Sequence, residues 1–189
     1  MTETLRHIDH QLFYFVNKTM TNSFLDFLCV SFRDMKFLVF CYCVFAYRIY
    51  KLYPEQFLKI AAAGALTFLL TDQLSAHLIK SLVHRIRPCN NPEINARLLL
   101  EHCGNGFSFL SAHAANSFGM ATFISVLPKR RWQSILFFGT WASLVSFSQV
   151  YVGVHFPADV IGGAILGVLV GTTIGVILKT KFELQSTNS

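Results

Sequence analysis

Charge is scarce in this chain of 189 residues. Asp, Glu, Lys and Arg make up 14% of it, against about one quarter in an ordinary soluble domain. Hydrophobic residues reach 53%, Phe alone contributes 19, and the mean hydropathy is +0.46. The apolar residues fall in long blocks, which excludes an ordinary soluble fold and points to a membrane protein. The formal net charge of +6 has no basic-aromatic interleaving in a polar region, so nucleic acid is excluded as a partner. No apolar run with a small-residue cleavage site follows the polar start MTETLRHIDHQ. The first apolar segments are therefore expected to serve as the insertion signal. His102 and Cys103 are adjacent but lack the spaced partners of a zinc site. Internal repeats are absent, and the only biased segment is the short polar end QSTNS.

Residues 12–32 mix apolar and polar patches, interrupted by Lys18, Asn22 and Asp26. They read as an amphipathic interfacial helix leading into a tilted or re-entrant one. Apolar runs follow at 37–53 (its helix expected to begin near Phe32), 57–83, 112–127, 132–149 and 158–178. Asp72, Gln73 and Ser75 lie inside the second of these and are expected to face other helices. The basic clusters Arg48/Lys51/Lys59, residues 129–131 and Lys179/Lys181 fall at alternate ends of successive runs. They share one face, which the positive-inside rule makes cytoplasmic. The fold expected is an all-α polytopic membrane bundle of five or six transmembrane helices, the sixth depending on the path of the N-terminal segment. Its divisions are an N-terminal segment at 1–35, a membrane domain at 36–181 and a polar cytoplasmic tail at 182–189.

Three polar connections on the opposite face hold the unusual residues. Lys80 and Arg87, expected on one side of a helix end two turns apart, suit an anion; snorkelling to headgroups is the alternative. Ser111 and His113 open a helix whose free N–H groups suit an anion, or form a plain N-cap. His155 and Asp159 flank Pro157, which suits a first helical turn. A carboxylate there holds one ring nitrogen of a histidine and frees the other as nucleophile or base; an Asp favoured by the helix dipole is the alternative. Gly162, Gly163, Gly167, Gly171 and Gly175 allow close helix packing. What distinguishes the chemical reading is the conjunction of all three clusters on one face.

In order and internal spacing these residues resemble the motifs of the type-2 phosphatidic acid phosphatase family. K-x6-R-P is met by Lys80, Arg87 and Pro88. P-S-G-H is met at Ser111 and His113, with Leu110 and Ala112 in the other places. S-R-x5-H-x3-D is met at Ser148, His155 and Asp159, with Gln149 in the place of Arg. The resemblance covers roughly residues 60–180 and is greatest to short bacterial members. It implies metal-independent hydrolysis, without a cofactor, of a lipid phosphomonoester or pyrophosphate. The candidate classes are undecaprenyl pyrophosphate, phosphatidylglycerol phosphate, phosphatidic acid and lipid A. His155 would be the nucleophile, Asp159 its orienting carboxylate and His113 the acid and then base. Lys80, Arg87, Ser111, Ala112 and Gln149 would line the phosphate site. It also implies a bacterial inner-membrane location with the site on the outer face.

Gln149 can donate hydrogen bonds but has no charge, and the loss of a charge-assisted contact to a phosphoryl transition state costs about 2–4 kcal/mol. Arg85 is a candidate substitute. The alternatives are a lipid phosphotransferase working through the same site and a catalytically weakened lipid-binding membrane protein. Cys89 and Cys103 bracket the polar loop on the oxidising side and are expected to form a disulfide, worth about 3 kcal/mol on the chain-entropy model, unless both remain free thiols.

Overall fold

The computed structural model describes residues 3–128 and 131–182. Lys129, Arg130 and the tail from 183 onward lie outside them. Among the described residues every regular element is a helix: α1 (Glu3–Tyr14), α2 (Ser23–Ser31), α3 (Met35–Leu52), α4 (Phe57–Gln73), α5 (Lys80–Val83), α6 (Ala112–Val126), α7 (Arg131–Tyr151) and α8 (Pro157–Phe182). Helices α4 and α5 are one continuous rod joined by a π-turn at Leu74–Ile79.

The N-terminal segment forms two short helices. Leu5, Ile8, Leu12 and Phe15 make an exposed apolar stripe, while Asp9 and Phe13 turn inward; this is the pattern of a helix lying along a surface. A second π-turn at Phe15–Thr19 ends this rod, and Asn22 caps α2 by accepting from the Leu25 N–H. The expected start of α3 near Phe32 is corrected. The Asp34 side chain accepts from Phe37 N and starts the helix at Met35, leaving Arg33 in the turn between α2 and α3.

Small residues decide the centre. Helix α6 buries Ala114, Ala115, Ser117, Gly119 and Ala121, and α8 lays Gly163, Gly167, Gly171 and Gly175 against it. A Cβ on Gly163 would sit 2.5 Å from the Ser111 carbonyl oxygen, so glycine lets the two backbones approach. Helices α4 and α7 pack on the other sides of α6. Polar groups face inward: Thr71 donates to Asn116 Oδ1 at 2.6 Å, and the Asn116 amide meets Asp72 at 3.3 Å. Leu58, Phe68 and Leu69 of α4, Leu136 and Phe137 of α7, and Ile165 and Leu169 of α8 are exposed. This apolar-outside arrangement suits lipid. Two helical rods, Pro54–Val83 and Pro157–Phe182, are long and apolar enough to cross a membrane.

The basic residues gather at one end. The Lys59 ammonium lies over the Phe182 ring at 4.6 Å, and Lys179 donates to the Val126 carbonyl at 2.9 Å. At the other end, the 84–111 loop is strapped down. Asn17 donates to the carbonyls of Arg97 and Tyr151 and accepts from Arg97 N. Arg97 pairs with Asp26, which also accepts from the Tyr151 hydroxyl at 2.7 Å. Cys89 and Cys103 are joined within this loop, their Cα atoms 5.8 Å apart.

Candidate active site

The end of the bundle opposite the basic cluster collects residues from several helices and the turns between them. One expectation needs correction first. Lys80 and Arg87 do not share a helix, because α5 ends at Val83 and His84 takes a left-handed conformation with φ of 50°. Lys80 sits on α5, and Arg87 enters from the loop, held just before Pro88.

The turn between α7 and α8 carries His155. Gly153, with φ of 91°, sits where a Cβ would lie 2.6 Å from the Arg97 carbonyl oxygen, so only glycine fits. The Gln149 carbonyl then accepts from the N–H groups of Val154 and His155, each at 3.2 Å. This closes the turn and fixes the imidazole. Pro157 starts α8, and Asp159 in its first turn accepts from Phe156 N at 2.8 Å.

His155 is almost wholly buried. Its Nδ1 lies 3.5 Å from Asp159 Oδ2 and its Nε2 lies 3.3 Å from Arg87 Nη1. A guanidinium only donates, so Nε2 presents its lone pair and the ring proton belongs on Nδ1, facing Asp159. The Nδ1–Oδ2 separation is at the outer edge of a hydrogen bond, as is common in unliganded catalytic pairs. Burial pushes the His155 pKa from 6.5 down to about 4, against the opposing pull of Asp159; the ring is neutral at ordinary pH.

Ser111 opens α6. Its Oγ accepts from Ala114 N at 3.4 Å, and its own N–H donates to the Asp159 carbonyl at 3.0 Å. The starts of α6 and α8 are thereby tied together. Ala112 and His113 follow in the first turn of α6. The charges of Arg33, Lys80 and Arg87 all act on the His113 ring. Arg87 is buried, which lowers its pKa. Its Nη1 donates to the Val154 carbonyl at 3.3 Å, while its Nε has no hydrogen-bond partner among the described residues. Buried cations with a free donor are costly unless an anion joins them.

Arg85 does not stand in for the missing arginine. Its Nη1 donates to Asp159 Oδ1 at 2.7 Å, its Nη2 pairs with Asp9, and its guanidinium lies 4.0 Å from the centre of the Phe156 ring. The backbone has already left the helix, and both Arg85 arms are spent on carboxylates, Asp9 and Asp159 Oδ1, while Asp159 Oδ2 faces His155 Nδ1. Asp9 also accepts from Ala158 N at 2.8 Å, which makes it a carboxylate cap on α8 supplied by α1. Gln149 is fully buried; its amide nitrogen donates to Val145 O and Ser148 Oγ, each at 3.2 Å, and its Oε1 accepts from Arg33.

The site thus joins Lys80, Arg87, Ser111, Ala112, His113, Gln149, His155 and Asp159. Reading the sequence missed Asp9 and Arg33. Neither sits in a spaced motif, and the only signal available was an acid and a base in segments otherwise occupied with the membrane surface.

Two histidines, one backed by a carboxylate, beside clustered cations on a helical scaffold are the groups that phosphoryl transfer calls for. Comparison with known proteins gives the particular family. The PAP2 superfamily model matches residues 57–183. The chain is 37% identical over 171 residues to the lipid A 4'-phosphatase of Bacteroides thetaiotaomicron, covering 88% of this chain and 75% of that protein. The crystal structure of Aquifex aeolicus LpxE superposes with a TM-score of 0.65 at 25% identity, covering 87% of this chain and 92% of that one. The fold also matches the crystal structure of a transmembrane PAP2-type phosphatidylglycerolphosphate phosphatase from Bacillus subtilis, with a TM-score of 0.70 at 22% identity, covering 96% and 89%. The chain belongs to the PAP2 superfamily. As a member it is a hydrolase of phosphate esters, of the membrane lipid phosphatase kind.

Proposed function

We propose that the chain removes a phosphate from a membrane lipid at the outer face of the bacterial inner membrane, through a phosphohistidine on His155. The observation that carries this reading is the His155 Nε2 lone pair, directed at the Arg87 guanidinium 3.3 Å away with Asp159 behind Nδ1, and with Lys80 and Ser111 at the helix ends around it. Nε2 attacks phosphorus, and the bond to the lipid oxygen breaks. His113 gives its proton to that oxygen. The positive charge formed on the His155 ring is met by Asp159 at Nδ1. Water then attacks phosphorus, losing its proton to His113; the phosphorus–nitrogen bond breaks, its electron pair returns to His155 Nε2, and inorganic phosphate leaves. Cations and helix N–H groups hold the non-bridging oxygens throughout, which is where phosphoryl transfer needs stabilisation.

The substrate class favoured is a lipid A-type phosphomonoester, on the strength of the 37% identical relative. The topology favoured has five crossings, by α3, the α4–α5 rod, α6, α7 and α8. Helix α2 has nine residues, a rise of about 14 Å against a hydrocarbon core of about 30 Å. Residues 1–35 then lie along the outer surface, 36–181 form the membrane domain, and the basic end faces the cytoplasm. The test is phosphate release by purified protein in detergent. A panel of lipid A, phosphatidylglycerol phosphate, phosphatidic acid and undecaprenyl pyrophosphate is offered to the native chain and to His155→Ala. Release from one lipid that disappears in His155→Ala supports the reading. Transfer of label to a second lipid without free phosphate would move it to a phosphotransferase.

A further inference from the structure

We infer that Arg33, from the turn between α2 and α3, is the phosphate-binding cation that position 149 lacks, and that Gln149 is the bracket holding it over the pocket. This rests on the phosphatase reading of the site.

Position 149 lies on the last turns of α7, fully buried, one residue after Ser148. A Gln there brings a carbonyl oxygen where an arginine would bring a cation. That oxygen accepts a hydrogen bond from Arg33. The rest of the Gln149 amide is fixed by Val145 O and Ser148 Oγ, so the orientation of Oε1 is set by α7 itself. The side chain at 149 therefore positions a guanidinium delivered from another element.

Arg33 has no carboxylate partner among the described residues. The acids in its neighbourhood are engaged elsewhere: Asp34 accepts from Phe37 N, and Asp26 pairs with Arg97. One Arg33 nitrogen is spent on Gln149, and a guanidinium has five N–H donors in a planar fork. Its pKa is pushed down to about 10 by burial, with the charge of Arg87 adding to it. The Gln149 that Arg33 contacts through its side chain also accepts, through its backbone carbonyl, from His155 N at 3.2 Å, so Arg33 is delivered beside the turn that carries His155, whose ring Arg87 meets at 3.3 Å. Cations concentrated in a sheltered place are unfavourable alone and favourable around a multiply charged anion. A phosphate dianion opposite His155 satisfies Arg33, Arg87 and Lys80 together.

The arrangement makes a specific prediction about exchange. Arg33→Gln removes the cation. Gln149→Arg in the native background sets a second guanidinium against the first. Arg33→Gln combined with Gln149→Arg returns one guanidinium to the pocket from the α7 side.

The experiment measures kcat and KM for phosphate release, and equilibrium binding of inorganic phosphate, for the native chain, Arg33→Gln, Arg33→Lys and the exchanged double variant. Thermal unfolding of each is recorded alongside. Arg33→Gln is expected to lose about 100- to 1,000-fold in kcat/KM and to bind inorganic phosphate more weakly. Arg33→Lys keeps part of both, and the exchanged variant recovers at least tenfold over Arg33→Gln. The inference is overturned if folded Arg33→Gln stays within threefold of the native chain, or if the exchanged variant recovers nothing. Should the native chain release no phosphate from any lipid, the phosphatase reading fails, yet phosphate binding still decides Arg33. Weakening in Arg33→Gln with recovery on exchange supports its role; equal binding in all four overturns it.

Discussion

Replacing Asp9 by Asn removes a charge while leaving an oxygen in nearly the same place, and the structure says what that charge does. The Asp9 carboxylate accepts from Ala158 N at 2.8 Å and pairs with Arg85, whose other arm is on Asp159 at 2.7 Å. The Asp9 and Arg85 side chains are only 6% and 16% exposed, so solvent screens this pair weakly. The Asn amide oxygen still serves one donor. What is lost is a hydrogen bond between charged groups, worth about 1.5–3 kcal/mol. For a chain of this size each kcal/mol moves the unfolding midpoint about 2–4 °C, so Asp9→Asn should melt about 3–12 °C lower in detergent. Catalysis should suffer too. Arg85 then spends its whole charge on Asp159, which weakens the support Asp159 gives to a positive His155 ring, so kcat falls with little change in KM. Unfolding followed by tryptophan fluorescence, together with steady-state phosphate release, tests both. A midpoint within 1 °C of the native chain and unchanged kcat would refute the reasoning and make α1 a surface ornament.

Three further outcomes are expected. The folded pKa of His155 is depressed from 6.5 to about 4, so its contribution to stability is complete above the unfolded value and is lost as pH falls towards 4; histidine NMR of the unliganded protein should place this titration well below 6, and a midpoint at or above 6.5 contradicts the burial. Gly163→Ala drives a methyl to 2.5 Å from the Ser111 carbonyl oxygen and should cost about 1–3 kcal/mol, read as a lower unfolding midpoint, whereas Gly139→Ala, with open space around it, should not. Reduction of the Cys89–Cys103 link, which closes a separation of 14 residues, should cost up to about 3 kcal/mol and lower the unfolding midpoint in dithiothreitol but not in a Cys89→Ser/Cys103→Ser variant.

The parts of this molecule that were legible in the sequence are those written in local spacing. The apolar runs at 57–83 and 158–178 correspond to the α4–α5 rod and α8 because continuous helices need nothing beyond their own residues. Pro157 marks the start of α8, and Asp159 sits one turn beyond His155 because the helix begins between them. The glycine row on α8 faces α6 for the same periodic reason. What depended on backbone departures was misread. Lys80 and Arg87 look like helix neighbours, but the chain turns left-handed at His84. Arg85 looks like a spare cation, but that turn aims it at Asp9 and Asp159. Arg33 and Asp9 reach the site only through tertiary folding of the N-terminal segment over the bundle end. A single chain carries no spacing rule that would link residue 33 to residue 149.

The most direct test of the account is to catch the covalent intermediate. Protein mixed briefly with lipid carrying a labelled phosphate, quenched in alkali and mapped by mass spectrometry, should carry phosphate on the His155 ring. The label should be absent from His155→Ala and should decay in the native chain as inorganic phosphate is released. Turnover by the native chain with no label on His155 at any quench time, or turnover surviving in His155→Ala, would contradict the mechanism.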